Sequence, residues 1–424
     1  MLSLQFIREN ADRVKGDLLL RNVSAPIDRI LQLDEERRRL LPEVEDLRQQ
    51  RNVASKAIGA SKDADGREER ITAMRAVGDR IDALDGRLKA VDTELQDKLY
   101  EVPNVVAPDT PRGFDDSDNP KIAEWGEKRV FDFEPRPHWE IGARLGGIDL
   151  ERGAKMSGSR FYVLQGEVAR LYRSLIQWLL DTHVSEGGFN ECYLPYMVTE
   201  ASLLAAGQLP KFYDTLYRDA EQDYFFIPTA EVGFVNLHRD EILPPGSLPK
   251  RLVAHTPCFR REKMSAGRDV RGIKRGHQFE KVEMFVYCEA DQSEHELERL
   301  TAYARTLPER LGIPYRVIQQ CSGDLGFNAT KAYDIEMWAP GVDEYLEVSS
   351  ISNCLDFQAR RANIRYRSAP GAAARHPHLL NGSGLGMPRT LISVLENYQQ
   401  ADGSVTIPEV LRSYMRTDSI TLPA

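Results

Sequence analysis

Cysteine is scarce and scattered in this chain of 424 residues. The five thiols (Cys192, Cys258, Cys288, Cys321 and Cys354) stand at least 30 positions apart, and none belongs to a Cys-x-x-Cys pair. An odd, dispersed set excludes a disulfide framework and a cysteine-ligated zinc site, and it fits reduced core thiols in a cytosol. Long apolar runs are missing too. None approaches the roughly 18 to 20 residues that a membrane span needs. The first ten residues, Met-Leu-Ser-Leu-Gln-Phe-Ile-Arg-Glu-Asn, lack a basic segment followed by an apolar stretch, so no secretory signal is expected. Neither Gly-x-x-x-x-Gly-Lys-Ser/Thr nor a strand-borne Gly-x-Gly-x-x-Gly occurs, which removes the common phosphate loops. Histidines at metal-ligand spacing reduce to His376-x-His378, read as loop. An excess of positive charge is also absent. The formal net charge is −9, which argues against global attraction to nucleic acid and leaves room for local basic surfaces.

What is present is the balance of a folded protein, with 42% hydrophobic and 29% charged residues, in a chain long enough for two domains or more. Residues 27 to 100 differ from the rest. Ile30, Leu33, Arg37, Leu40, Val44, Leu47, Arg51, Ala54 and Ile58 follow alternating steps of three and four, as do Met74, Val77, Ile81, Leu84, Leu88, Val91 and Leu95. Such steps lay the seam of a coiled coil along one helical stripe. The turn formers of Gly59–Gly66 lie between the two runs, which therefore read as an antiparallel hairpin. At ~1.5 Å per residue each run reaches roughly 48 Å, so the hairpin is expected to project as an arm. Pro42 should cost a backbone hydrogen bond and kink the first run. Pattern alone fits a dimerisation coiled coil equally well, although arginines at seam positions 37 and 51 weaken a purely apolar seam. The reading is residues 1–102 as a helical arm, 103–120 as a Pro- and Asp-rich linker, and 121–424 as the main globular domain.

Past the linker, helical and strand-like runs mix. Residues 166–183 read as a helix, and 189–193, 224–227, 281–288 and 344–348 as short strands. No regular strand-helix-strand spacing appears, so the expected class is α+β, an antiparallel sheet with flanking helices. Two Lys-Met-Ser tripeptides, at 155–157 and 263–265, lack any partnering motif and read as coincidence. From Arg260 to Lys281 the chain carries eight Lys or Arg against three acids. Strand-forming flanks around a Gly-rich middle make this a cationic hairpin suited to a polyphosphate, because arginine offers a planar fork to phosphate oxygens. Taken alone, a solvated basic loop would be the better account of it.

The surrounding motifs decide. Phe259-Arg-Arg-Glu262 with His277-Gln-Phe-Glu-Lys-Val-Glu283 resembles motif 2 of class II aminoacyl-tRNA synthetases. Gly382-Ser-Gly-Leu-Gly-Met-Pro-Arg389 resembles motif 3, and Gly188-Phe to Pro195 looks like motif 1. Thr229-Ala-Glu231 and Glu347-Val-Ser-Ser350, in this order along the chain, narrow the resemblance to the seryl-tRNA synthetase family, which also carries a long coiled-coil arm. The resemblance covers essentially the whole chain.

That resemblance implies two steps: serine and ATP form seryl-adenylate, and the seryl group then passes to the 3′ end of serine tRNA. It implies Arg260 and Arg389 as catalytic phosphate ligands, with Arg261, Glu262, Gly276, Phe279, Glu347, Val348, Ser349 and Ser350 also in the ATP site. Glu347 and Ser350 are the expected Mg²⁺ ligands. Serine is expected against Thr229, Ala230, Glu231, Glu283 and Ser383. The arm would hold the long variable arm of serine tRNA, and the enzyme would be a cytoplasmic homodimer without zinc or membrane contact. Selenocysteine tRNA could be a further substrate. Gly233 where the family usually has Pro, Gly276 where a bulkier residue is common, and Met387-Pro388 before Arg389 depart from the pattern; all flank the ligand positions. Two rival readings stay open: a paralogue that activates serine for another acceptor, and a non-catalytic RNA-binding protein on the same fold.

Overall fold

The computed structural model describes residues 1–60, 65–263 and 271–423; of residues 59, 60 and 65–67 the backbone alone is described. The turn expected at Gly59–Gly66 thus falls largely outside the described residues, as do the centre of the basic loop at 264–270 and most of the second Lys-Met-Ser. The chain forms two compact units. One comprises Leu2–Leu19 and Val23–Pro103, the other Asn104–Ala424 with Met1 and Leu20–Asn22.

In the first unit, α1 (Leu4–Glu9) and α2 (Ala11–Leu20) precede two long helices, α3 (Ile27–Ala60) and α4 (Asp65–Tyr100). The seam appears where the three-four steps place it. Ile30, Leu33, Leu40 and Val44 of α3 are buried, as are Ile81, Val91 and Leu95 of α4. Arg37 does not enter an apolar seam; its guanidinium meets Asp92 at 2.7 Å. Arg29 with Glu94, Glu36 with Arg87 and Glu43 with Arg80 pair at 2.6 to 2.7 Å, and in each pair the two residue numbers sum to the same value. That constancy is the signature of an antiparallel pair and sets its register. Exposed pairs add little stability but do discriminate between registers. Pro42 lies inside α3, which runs through it; the position is exposed, so water can serve the carbonyl that loses its donor.

In the second unit an eight-stranded sheet is built from β1 (Lys121–Trp125), β2 (Asn190–Glu191), β3 (Lys250–Phe259), β4 (Gln278–Cys288), β5 (Tyr315–Gln319), β6 (Lys331–Ala339), β7 (Glu344–Asn353) and β8 (His378–Gly386). Spatial order is β1-β5-β6-β7-β8-β4-β3-β2. Every pairing is antiparallel, as expected, except the edge pair β2 with β3, which is parallel. The strand expected over 189–193 shrinks to Asn190–Glu191, because only Leu252 and Val253 stand opposite it. His378 opens β8 and is not in a loop; its imidazole meets Ser293 Oγ at 2.8 Å.

Both faces of the central strands are covered. Val282, Met284, Val286 and Cys288 of β4 pack with α5 (Gly166–Ser185), α7 (Ser293–Arg310) and α8 (Met387–Tyr398), while Phe285 and Tyr287 face the smaller cluster around α6 (Glu231–Asn236). A strand buried on both sides loses its polar alternation, so β4 reads as a continuous apolar run only after Glu283. Gly384 lets β8 close on α5: a Cβ there would lie 2.3 Å from His183 Nε2, whose ring meets the Gly384 carbonyl at 2.8 Å. Residues 104–110, within the segment expected as a linker, are hydrogen-bonded into this unit through Asn104 Nδ2 to the Asn328 and Cys354 carbonyls and Thr110 Oγ1 to the Thr330 carbonyl.

Candidate active site

A cleft of about 620 Å³ opens over the α6-side face of the sheet, walled by β4, β7, β8, the loop after β3 and the start of α8. Period-two alternation supplies most of its lining. Phe279, Lys281 and Glu283 share one face of β4, Asn381 and Ser383 share one face of β8, and Ser383 stands directly opposite Glu283. Thr229 and Glu231 enter at the beginning of α6. Of the residues singled out from the sequence, Arg260, Glu262, Gly276, Phe279, Glu347, Val348, Ser350, Arg389, Thr229, Glu231, Glu283 and Ser383 line this one cleft. Arg261, Ala230 and Ser349 are not brought to its wall. Arg261 lies over the Tyr217 ring at 5.8 Å, Ala230 is buried, and the Ser349 hydroxyl donates to the Ser383 carbonyl at 2.5 Å.

Glu347 and Ser350 are three apart, which in a regular strand would put them on opposite faces. They share a face because β7 bulges. Ile335 pairs with Ser349 and the next residue of β6, Glu336, pairs with Glu347, leaving Val348 as the extra residue. Exposure follows the same shift, with Tyr345 and Glu347 more open before the bulge and Ser350 and Ser352 after it. Two hard oxygen donors thereby come to one wall. Among the described residues no group of three or more acidic, histidine or cysteine side chains could hold a metal ion. A two-oxygen set fits Mg²⁺, which keeps waters and takes substrate phosphates as its other ligands, better than a metal caged by protein alone. Behind Ser350, buried Asp334 accepts from both Gln320 and the Ser350 hydroxyl. Burial, then the nearby Glu347 charge, holds its carboxyl well above the usual range.

Cations gather on the same cleft: Arg260, Lys263, Lys274, Arg275, Lys281 and Arg389. Arg260 donates through Nε to the Pro228 carbonyl at 3.2 Å, and its guanidinium lies 5.2 Å from the Phe279 ring. Arg389 donates to the Glu347 carbonyl at 2.8 Å and stands 3.3 Å from the Glu347 carboxylate. Pro388 sits in the first turn of α8, where a missing N–H costs nothing, so the departure before Arg389 suits a helix start. Gly276 is forced by contact: a Cβ would lie 2.9 Å from the Gln278 carbonyl oxygen and 3.0 Å from the Tyr162 ring. Gly233 likewise sits where a Cβ would meet Leu194 at 2.9 Å.

Lys281 was not legible as a site residue. Buried among acids, it donates to Thr229 Oγ1 at 2.8 Å and forms an ion pair with Glu283. Its position two residues before Glu283 on a strand was the available signal. Glu231 is buried and takes a hydrogen bond from Gln358. Burial, followed by the Glu283 charge, pushes its pKa up to about 7, against the opposing pull of Gln358 and Lys281. With two carboxylates and one ammonium, the pocket is neutral when Glu231 is protonated and carries one negative charge when it is not. Such a pocket suits a small ligand bearing its own ammonium group.

Comparison with known proteins agrees with this geometry. Residues 213–398 match the family described as tRNA synthetase class II core domain (G, H, P, S and T), and residues 1–106 match the seryl-tRNA synthetase N-terminal domain. A serine–tRNA ligase of Thermomicrobium roseum is 58% identical over 415 residues, covering 98% of this chain and 93% of the relative. One from Roseiflexus castenholzii is 58% identical over 416 residues, 98% of each chain. The crystal structure of seryl-tRNA synthetase from Pyrococcus horikoshii complexed with ATP superposes with a TM-score of 0.93 at 37% identity over 100% of both chains. The bulged carboxylate–hydroxyl pair, the cationic loop and the buried acid pair thus sit in a chain that belongs, along its whole length, to the seryl-tRNA synthetase family.

Proposed function

We infer that the chain activates L-serine with ATP to seryl-adenylate and transfers the seryl group to the 3′ end of serine tRNA. The observation that carries this reading is the adjacency of two chemistries in one cleft. A buried acid pair holds one unneutralised carboxylate at Glu231, and a cationic wall with Arg260 and Arg389 stands beside it. The first can take serine's ammonium, and the second can take phosphates.

In this reading serine's carboxylate, already ionised, attacks the α-phosphorus of ATP, and pyrophosphate leaves. No general base is required, so acceleration comes from positioning and from donors aimed at the charge that develops. Arg260 meets the α-phosphate, and Arg389, two residues into α8, meets the γ-phosphate. Phe279 stacks on the adenine, and Glu262 contacts its edge. Glu231 and Glu283 hold the ammonium, while Thr229 and Ser383 complete the serine pocket. Hydrogen bonds to the substrate hydroxyl reject alanine strongly, because the site's polar groups would be left unpaired. Glu347 and Ser350 would hold Mg²⁺, which when bound neutralises phosphate charge. The α3–α4 hairpin is the tRNA-binding element, and the working form is a cytoplasmic homodimer. Serine-dependent ATP–pyrophosphate exchange run beside tRNA charging tests the two steps. Both reactions are expected; exchange without charging would indicate another acceptor, and neither would mean a non-catalytic protein.

A further inference from the structure

Seven residues beyond Arg389 on α8, Glu396 is fully buried and receives four hydrogen bonds. The His138 backbone N–H donates at 2.8 Å and the His138 ring Nδ1 at 2.9 Å. The Gly341 and Val342 N–H groups, in the turn between β6 and β7, donate at 2.8 and 3.2 Å. On the other side of the same imidazole, the Ile273 N–H donates to His138 Nε2 at 3.1 Å. A backbone N–H can only donate, so Nε2 must accept and the ring proton sits on Nδ1, facing Glu396. Each contact fixes the tautomer that the other needs.

Ile273 belongs to the returning limb of the loop that joins β3 to β4. The next three residues, Lys274, Arg275 and Gly276, all line the cleft. The limb closes on His138 because Gly272 has no side chain: a Cβ there would lie 2.1 Å from His138 Nε2, and φ is +75°. Arg271 stacks over Trp139 at 5.1 Å, so two consecutive residues grip the limb. Both His138 and Ile273 are buried, which makes the contact costly to leave unmade.

We propose that His138, held by Glu396 as its Nδ1–H tautomer, is a positioning residue that anchors the returning limb of the ATP-binding loop and so places Lys274, Arg275 and Gly276 against the nucleotide. Glu396 ties this anchor to α8, which carries Arg389, and to the turn that begins β7, which carries Glu347. The assignment of the ligand rests on the ATP-dependent reading of the cleft, while the anchor itself rests on the contacts.

The test compares His138→Asn and His138→Gln in the full-length protein. Asparagine keeps a donor near Nδ1 and loses the acceptor; glutamine keeps an acceptor near Nε2. ATP and serine affinities are measured separately by calorimetry, and hydrogen exchange of the peptide spanning 271–276 is followed by mass spectrometry. With asparagine, exchange of that peptide quickens and the dissociation constant for ATP rises about tenfold, the effect of one lost hydrogen bond to a buried donor. Serine affinity stays within twofold, and glutamine restores most of both losses. Unchanged ATP affinity and unchanged protection with asparagine would overturn the proposal. So would equal losses for ATP and serine in both variants, which mark a structural role only. A wild-type protein that binds ATP but fails to charge tRNA would instead count against the proposed function and leave this comparison intact.

Discussion

Lowering the pH from 8 to 6 should weaken serine binding about tenfold while leaving ATP binding nearly unchanged. The titrating group is Glu231, whose pKa of about 7 comes first from burial and second from the Glu283 charge. With serine's ammonium held by Glu231, as proposed above, binding needs the ionised form. That form is about nine-tenths of the free protein at pH 8 and about one-tenth at pH 6, and apparent affinity scales with the competent fraction. Binding should therefore release about 0.9 proton per serine at pH 6 and about 0.1 at pH 8. Titration calorimetry in two buffers of different ionisation enthalpy reads both quantities at once. Glu231→Gln should bind serine more weakly and lose the pH dependence. The stability effect has the opposite sign. Between pH 4.5 and 7 the native state keeps a proton that the unfolded chain has released, so Glu231's contribution to stability falls as pH rises through that window and is constant above it. Serine affinity that stays within twofold from pH 6 to 8, with no proton release, would refute the reasoning.

Arg260→Ala should lower serine-dependent pyrophosphate exchange by about 10² to 10³, the cost of one charged donor to a reacting phosphate, and a loss of only a few-fold would remove Arg260 from that role. Glu283→Gln should raise the serine KM and barely alter that for ATP; because it also leaves Lys281 unpaired, a melting curve must accompany the kinetics. Gly276→Val should weaken ATP binding more than serine binding, since the new side chain meets the Gln278 carbonyl and Tyr162, and equal loss for both would indicate misfolding instead. Replacing residues 30–98 with a short Gly-Ser linker should spare exchange and cut tRNA charging by orders of magnitude. Wild-type charging should also weaken steeply with salt. A truncated protein that turns monomeric and loses exchange would favour the dimerisation reading by light scattering.

The long helices were legible because a period of three and four survives any context, and Ile30, Leu33, Leu40 and Val44 are buried where it places them. Arg37 looked like a defect in that seam, since a one-dimensional pattern cannot show Asp92 across the hairpin. In the cleft, the residues of Phe-Arg-x-Glu and of the segment ending at Glu283 were legible from a family likeness, not from periodicity. Lys281 was hidden by its own neighbourhood. It counted as one more cation in a basic hairpin, although its charge faces Glu283 and not solvent. His138 and Glu396 could not be found at all, because 258 positions separate two side chains that meet only after β3, β4 and α8 are assembled.

Val348 gives β7 a parity that its neighbours do not have. Before it Glu347 faces the cleft, and after it the even-numbered Ser350 and Ser352 do. Deleting Val348 would leave composition, charge and hydropathy almost untouched. It would place Glu347 and Ser350 two apart, so regular alternation would keep Glu347, Ser350 and Ser352 together on the cleft. A substitution scan across the strand would rate Val348 an unremarkable core valine, whereas a single-residue deletion scan should find it among the best tolerated positions of β7, because its loss restores a regular ladder. The information held at that point is a count, not an identity.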